Sequence, residues 1–176
     1  YEEAMRIFEQ EAKIYNASIE PSAIMTVQAQ FDQLVHGIVT TINDILCPNK
    51  EYILGEDISY TDSNGNLIEY KAGDTIRILD REKAPLGMDE SEEPGTELFS
   101  RKSVKRYEKV MVDGEELWIY NEEDAGDNYS LYTLGEIEIN QEVLEDKSKL
   151  PFSQNKGTCD FDIKTAEQLI EAWGSK

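Results

Sequence analysis

The stretch Pro21–Leu46, PSAIMTVQAQFDQLVHGIVTTINDIL, decides the fold because its apolar residues recur with a helical period. Alternating gaps of three and four residues define a seam, apolar at six of its seven positions: Ile24, Val27, Phe31, Leu34, Ile38, Thr41 and Ile45. This spacing is typical of an amphipathic helix with a coiled-coil-like edge. Its length of about 26 residues predicts a rod of about 39 Å, which packs either as an ordinary core helix or in a rod-like assembly.

The residues on both sides of this helix predict two different kinds of structure. Glu2–Tyr15 carries a second helical pattern, and Pro48 ends the long helix because proline cannot continue the hydrogen-bond ladder. Beyond Pro48, alternating apolar and polar residues indicate strands joined by Asn-Gly and Asp-Gly turns. The predicted strands are Ile58–Tyr60 with Leu67–Tyr70, Thr75–Leu79, Glu108–Val112 with Glu116–Tyr120, and a last pair formed by Tyr129–Thr133 and Gly135–Asn140.

The remaining segments complete an α+β prediction. Asp80–Lys102 is expected to be a long surface loop with a short helix near Glu97–Arg101. Asp162 is expected to cap a closing helix. Its predicted inward stripe is Ile163, Ala166, Leu169, Ile170 and Trp173. We therefore expect long helices packed as a rod-like layer at the chain ends, with an antiparallel β-rich domain inserted between them. The expected parts are a helical segment over 1–50, a β-rich outer domain over 51–150, and a returning loop and helix over 151–176.

The net charge of the chain disfavours some classes of binding partner. The formal net charge of −20 disfavours nucleic acid and anionic membranes, because both carry the same sign of charge. The longest apolar runs are too short and too interrupted to cross a bilayer. The first residue, Tyr1, is not Met, so we expect the sequence to be a piece of a longer protein. Cys47 and Cys159 allow one disulfide at most, and we expect both thiols to be unpaired or packed.

Motifs for catalysis or metal binding are weak. His36 is the only histidine, and the sequence spacing indicates no nucleophile or acid that could act with it in catalysis. Asp62, Asn64 and Asn66 surround Gly65 in a spacing that differs from an EF-hand, so a turn is expected. The run Glu122–Asp124 is expected to be a solvated loop, although a weak calcium site stays open. We predict no enzyme activity, no catalytic residues, no cofactor and no metal site.

Several motifs resemble one known family. The helix Ile24–Lys50, above all its elements Phe31–Val35 and Ile42-Asn43, resembles the hook-associated protein 1 family, which forms the junction between hook and filament of the bacterial flagellum. Later stretches are similar to versions of that family in gut Firmicutes: Lys83–Asp89, Glu97–Ser103 and Tyr132–Glu138. The resemblance touches most of the chain, and the long helix is its most general part.

The resemblance implies a structural protein of the flagellum without catalysis. Members are exported by the flagellar secretion apparatus without a cleaved signal peptide, so the expected location is extracellular. They form a homo-oligomeric ring that contacts the flagellar hook protein and a second hook-associated protein. The terminal helices that polymerise in the family are expected to lie outside this sequence. Family members usually lack cysteine, so Cys47 and Cys159 depart from the pattern.

Two other functions remain open. The first is an extracellular glycan-binding module on a helical stalk, in which aromatic side chains form a stacking platform. The candidates are Tyr60, Tyr70, Trp118, Tyr120, Tyr129 and Tyr132, for which core packing is the alternative. The second is a hydrolase with a carboxylate pair, which would need two acids in one cleft with separated pKa values.

Overall fold

The long helix forms as predicted. The structure is a computed structural model that describes residues 20–89, 93–153 and 162–174. Helix α1 spans Glu20–Leu46 and has 27 residues. It ends directly before Cys47-Pro48, and strand β1 begins at Asn49. The predicted helix over Glu2–Tyr15 lies outside the described residues.

Most of the other elements are short antiparallel strands. The central sheet contains four of them in the order β1-β4-β8-β7: β1 Asn49–Ile53, β4 Thr75–Leu79, β8 Glu115–Tyr120 and β7 Tyr107–Val112. Three further pairs flank it: β2 Ile58–Thr61 with β3 Leu67–Tyr70, β5 Leu86–Gly87 with β10 Pro151–Ser153, and β6 Phe99–Arg101 with β9 Ile137–Ile139. Short helical turns fill the rest: η1 Asn128–Ser130, α2 Gln141–Glu145 and η2 Lys147–Lys149. Helix α3 spans Ile163–Gly174.

The predicted hairpin turns are confirmed. Strand β7 pairs with β8 around Asp113 and Gly114, whose φ angles of 50° and 82° match the turn that two-residue hairpins favour. In the turn between β2 and β3, the Asp62 carboxylate accepts hydrogen bonds from the main-chain N–H groups of Asn64 and Asn66. Both turns therefore form from local residues: one from residues that accept positive φ angles, the other from an Asp side chain that bonds to nearby main-chain groups.

Two apolar clusters form the core. The first lies within the β structure and is built from Leu54, Ile58, Ile76, Ile78, Val112, Leu117 and Ile119. The second joins the end of α1 to the sheet: Leu46, Cys47, Leu79 and Ala84 are buried there, and Trp118, Phe152 and Leu169 pack against them. The second cluster fixes α1 and α3 to the β structure through the last turns of α1.

The predicted fold class is wrong. The described residues form a mostly antiparallel β domain in which α1 is the one long helix, so no rod-like layer of long helices is present there. Helix α3 has only 12 residues. The physical reason is that strands supply most of the buried apolar residues, while α1 contributes mainly its carboxyl-terminal end.

Two local predictions are also wrong. Residues Asn128–Ser130 form a 3-10 turn, and β9 pairs with β6 instead of with the 129–133 segment. A short helix was expected near Glu97–Arg101, but Phe99–Arg101 forms strand β6. This strand pairs with β9. In each case a pairing across about 40 residues of sequence overrides the local pattern.

The cap of helix α3 is confirmed, but its predicted inward stripe is only partly right. The Asp162 carboxylate accepts from the N–H groups of Lys164 and Thr165. Leu169 packs into the second cluster. Three members of the predicted stripe face solvent instead: Ile163, Ile170 and Trp173 are 66–72% exposed.

Candidate functional site

The seam of α1 divides into two halves. Ile24, Val27, Phe31 and Leu34 are 53–67% exposed. Ile38, Thr41 and Ile45 are half-buried. The residues that α1 buries completely are different ones, Val39, Asn43 and Leu46. They lie on a face rotated by roughly 120° from the centre of the seam.

Asn43 connects α1 to strand β6. Its Nδ2 donates to the carbonyl of Phe99 at 2.7 Å, and its Oδ1 accepts from the N–H of Phe99 at 3.2 Å. The side chain is fully buried and completes the hydrogen bonding of that strand residue. In the sequence, Asn43 stands out only as part of the motif that resembles the junction family. An amide in an otherwise apolar stripe was the available signal.

Two further contacts hold the middle of α1. Asp32 Oδ1 accepts from the N–H of Leu134 at 2.9 Å. His36 Nε2 lies 2.9 Å from Glu123 Oε2. Sequence spacing could not predict Glu123 as the partner of His36, because the two residues are 87 positions apart. The side chain of Phe31 meanwhile stays exposed beside these contacts.

A cleft lies where β6 and β9 approach the edge of the central sheet. We call this cavity of about 710 Å³ the β6–β7 cleft. Its wall includes Glu97, Arg101, Lys105, Arg106 and Asn140. The described lining carries five of the chain's 17 basic residues but only six of its 37 acidic ones. The local charge of the lining is thus close to balanced in a strongly acidic chain.

Two arginines in the cleft wall are almost fully buried. Arg101 is 4% exposed and donates to the main-chain carbonyls of Ser130, at 2.5 Å, and Asn121, at 3.0 Å. No carboxylate lies within 4 Å of it in the described ranges, and its Nε has no hydrogen-bond partner there. Arg106, by contrast, donates to Asp44 at 2.6 Å. Arg101 is therefore a buried cation without a contacting anion in the described ranges; main-chain carbonyls, including that of Lys105 at 3.3 Å, and the Tyr132 ring offset part of the cost of its burial.

Glu97 and Cys47 are buried next to these arginines. Burial raises the pKa of Glu97, and the positive charges of Arg106 and Arg101 oppose that rise. Burial also raises the pKa of the Cys47 thiol far above its ordinary range, which leaves it protonated and unreactive at neutral pH. The thiol lies 3.5 Å from the carbonyl oxygen of Gly95. Cys159 lies outside the described residues.

The aromatic residues proposed as a glycan platform are spread over different environments. Tyr120 and Tyr132 are buried, and Arg106 and Arg101 respectively lie over their rings at 5.0 Å. The Lys109 ammonium lies 4.0 Å from the centre of the Trp118 ring system. The others also differ: Tyr60 and Tyr70 pack against the first cluster, and Tyr129 is exposed.

Metal-binding and membrane-spanning features are absent from the described ranges. No group of three or more His, Cys, Asp or Glu side chains within residues 20–89, 93–153 and 162–174 is arranged to hold a metal ion. No helix in these ranges is both long and apolar enough to cross a membrane. No family model, curated protein or solved structure matches this chain.

Proposed function

We propose that this chain is part of a structural protein of the bacterial flagellum, located at the junction between hook and filament. The observation that carries the proposal is the exposed half of the seam on α1, formed by Ile24, Val27, Phe31 and Leu34. The resemblance of Phe31–Val35 and Ile42-Asn43 to the junction family adds the biological setting.

The exposed half of the seam is consistent with contact between protein subunits. Burying a large aliphatic or aromatic side chain contributes about 1.5–3 kcal/mol. A helix from a neighbouring subunit that covered the four half-exposed side chains would therefore gain several kcal/mol. The face offers few charges: only Asp32 and Asp44 lie between Ser22 and Cys47. Contact through this face avoids most of the repulsion that a net charge of −20 creates elsewhere.

The motif residues fit a division of roles along one helix. Phe31 and Leu34 face outward, whereas Asp32 and Asn43 attach the helix to the β domain. The β domain would then hold α1 in a fixed orientation while its apolar edge contacts neighbouring subunits. In this proposal the protein is secreted, forms a ring, and contacts the hook protein on one side and a second hook-associated protein on the other.

Immunogold electron microscopy tests the location. Antibodies against this chain should label flagellated cells of the source bacterium at one position, between hook and filament. Label along the filament, on the cell body or nowhere on the flagellum would contradict the proposal.

Complementation of a deletion strain tests the seam. Phe31→Asp should abolish filament attachment and swimming while the protein is still secreted, because a carboxylate would be desolvated in the subunit contact. Gln33→Asp is the matched control, since it places the same charge at another exposed position of α1. Normal swimming with Phe31→Asp would refute the role of the seam.

A further inference from the structure

We propose that the β6–β7 cleft binds a sugar acid, a molecule with one carboxylate among several hydroxyl groups. This inference is independent of the structural role proposed above, and nothing in it depends on the seam of α1. It rests on the volume of the cleft, on the buried cation in its wall and on the mixture of basic and acidic side chains in its lining.

The volume of the cleft suits a sugar. Its 710 Å³ lies within the range of about 300–1,000 Å³ that small-molecule sites occupy. Trp118 and Tyr107 provide apolar wall, and Gln141 provides an amide group. Sites for small molecules combine such apolar wall with a few polar groups that fix the orientation of the ligand.

The cations in the lining favour a carboxylate. Arg101 is buried and has no contacting anion in the described part of the chain. Lys105 is exposed on the same lining and forms no ion pair with any described residue. A carboxylate near these two groups would offset a buried charge and gain charge-assisted interactions at the rim.

The carboxylates in the lining limit the ligand to a single negative charge. Six acidic side chains share the described lining, among them Glu97, Glu138 and Glu142. A polyanion such as citrate would meet repulsion from these groups, whereas hydroxyl groups would donate hydrogen bonds to them. The combination of one anionic group with several hydroxyl donors is what defines a sugar acid.

Titration calorimetry on the full chain tests the proposal, with D-glucuronate as the probe and D-glucose and citrate as comparisons. We expect glucuronate to bind, glucose to bind at least about tenfold more weakly, and citrate not to bind better than glucose; tenfold corresponds to about 1.4 kcal/mol. Absence of glucuronate binding at millimolar concentrations, or equal binding of citrate, would overturn the proposal.

Two variants connect binding to the cleft. Lys105→Glu should weaken glucuronate binding by about tenfold or more, because it replaces a rim cation by an anion. Lys147→Glu is the matched control: it makes the same charge change at an exposed lysine outside the cleft, and it should leave affinity unchanged. An equal loss in both variants would indicate a general charge effect and would refute the site. Lys105→Gln with an unchanged circular dichroism spectrum should give an intermediate loss, and full affinity in this variant would equally refute it.

Discussion

Replacement of Asn43 by alanine is expected to destabilise the fold strongly. The Asn43 amide makes both a donor and an acceptor bond to Phe99, at 2.7 Å and 3.2 Å. Alanine would remove both bonds and leave the N–H and the carbonyl of Phe99 without these partners in a partly buried location. The substitution would also leave a small void, since the Asn43 side chain is fully buried.

The magnitude follows from the two main-chain groups. A buried polar group that loses its partner costs about 1–3 kcal/mol, so the pair should cost about 3 kcal/mol in free energy of unfolding. In a domain of 150–250 residues, each kcal/mol lowers the melting temperature by about 2–4 °C, which predicts a decrease of about 6–12 °C.

Thermal unfolding followed by circular dichroism measures this change, with urea unfolding as a second estimate of the free energy. Gln33→Ala, at an exposed position of the same helix, is the control and should change stability by less than about 0.5 kcal/mol. A loss below about 1 kcal/mol for Asn43→Ala would refute the reasoning, because water would then be replacing both hydrogen bonds.

Three further substitutions or reactions test other parts of the structure. Gly95→Ala should destabilise by about 1–3 kcal/mol in thermal unfolding, because a Cβ there would lie 2.4 Å from Pro151 Cβ and the backbone would have to move. In a Cys159→Ser variant, iodoacetamide should label Cys47 at least about 100-fold more slowly in the folded protein than in urea, since burial excludes the reagent and raises the thiol pKa; equal rates would contradict its burial. Burial also raises the Glu97 pKa, so ionisation of Glu97 above its unfolded-state value of about 4.3 works against folding. Glu97→Gln should therefore raise the urea midpoint at pH 7 but leave it unchanged near pH 4, and a lower midpoint at pH 7 would show that the ionised carboxylate stabilises the fold.

The hairpins could be predicted from the sequence because their determinants are local. Asp113-Gly114 accepts the positive φ angles that a two-residue turn requires, and the flanking strands alternate on both sides of it. The same holds for the turn at Asp62, whose carboxylate bonds to main-chain groups within four residues. A turn of this kind sets the register of both strands without help from the rest of the chain.

Pairings between distant parts of the chain could not be predicted, because their determinants are not local. Strand β9 matches a strand pattern, but nothing within its own sequence says that Phe99–Arg101 is its partner. The cleft lies at the same pairing, because Arg101 of its wall belongs to β6 and stands opposite Ile137 of β9. The contact between His36 and Glu123 could not be predicted either, because sequence periodicity relates only residues within one helix, strand or turn. The β6–β7 cleft therefore depends on the pairing of two distant strands, which local sequence patterns do not predict.

The period of the seam itself supports a role beyond this chain. If the apolar repeat of α1 existed only to build the core, its most buried residues would be the seam residues. The fully buried residues are instead Val39, Asn43 and Leu46, on a face rotated by roughly 120° from the centre of the seam. The fold thus uses one face of α1 for the β domain, while a second apolar face continues past Leu34 toward Ile24 and stays exposed among the described residues. A helix with two apolar faces is stabilised most when both faces are covered, and this is the reason for proposing a subunit contact on the exposed face of α1.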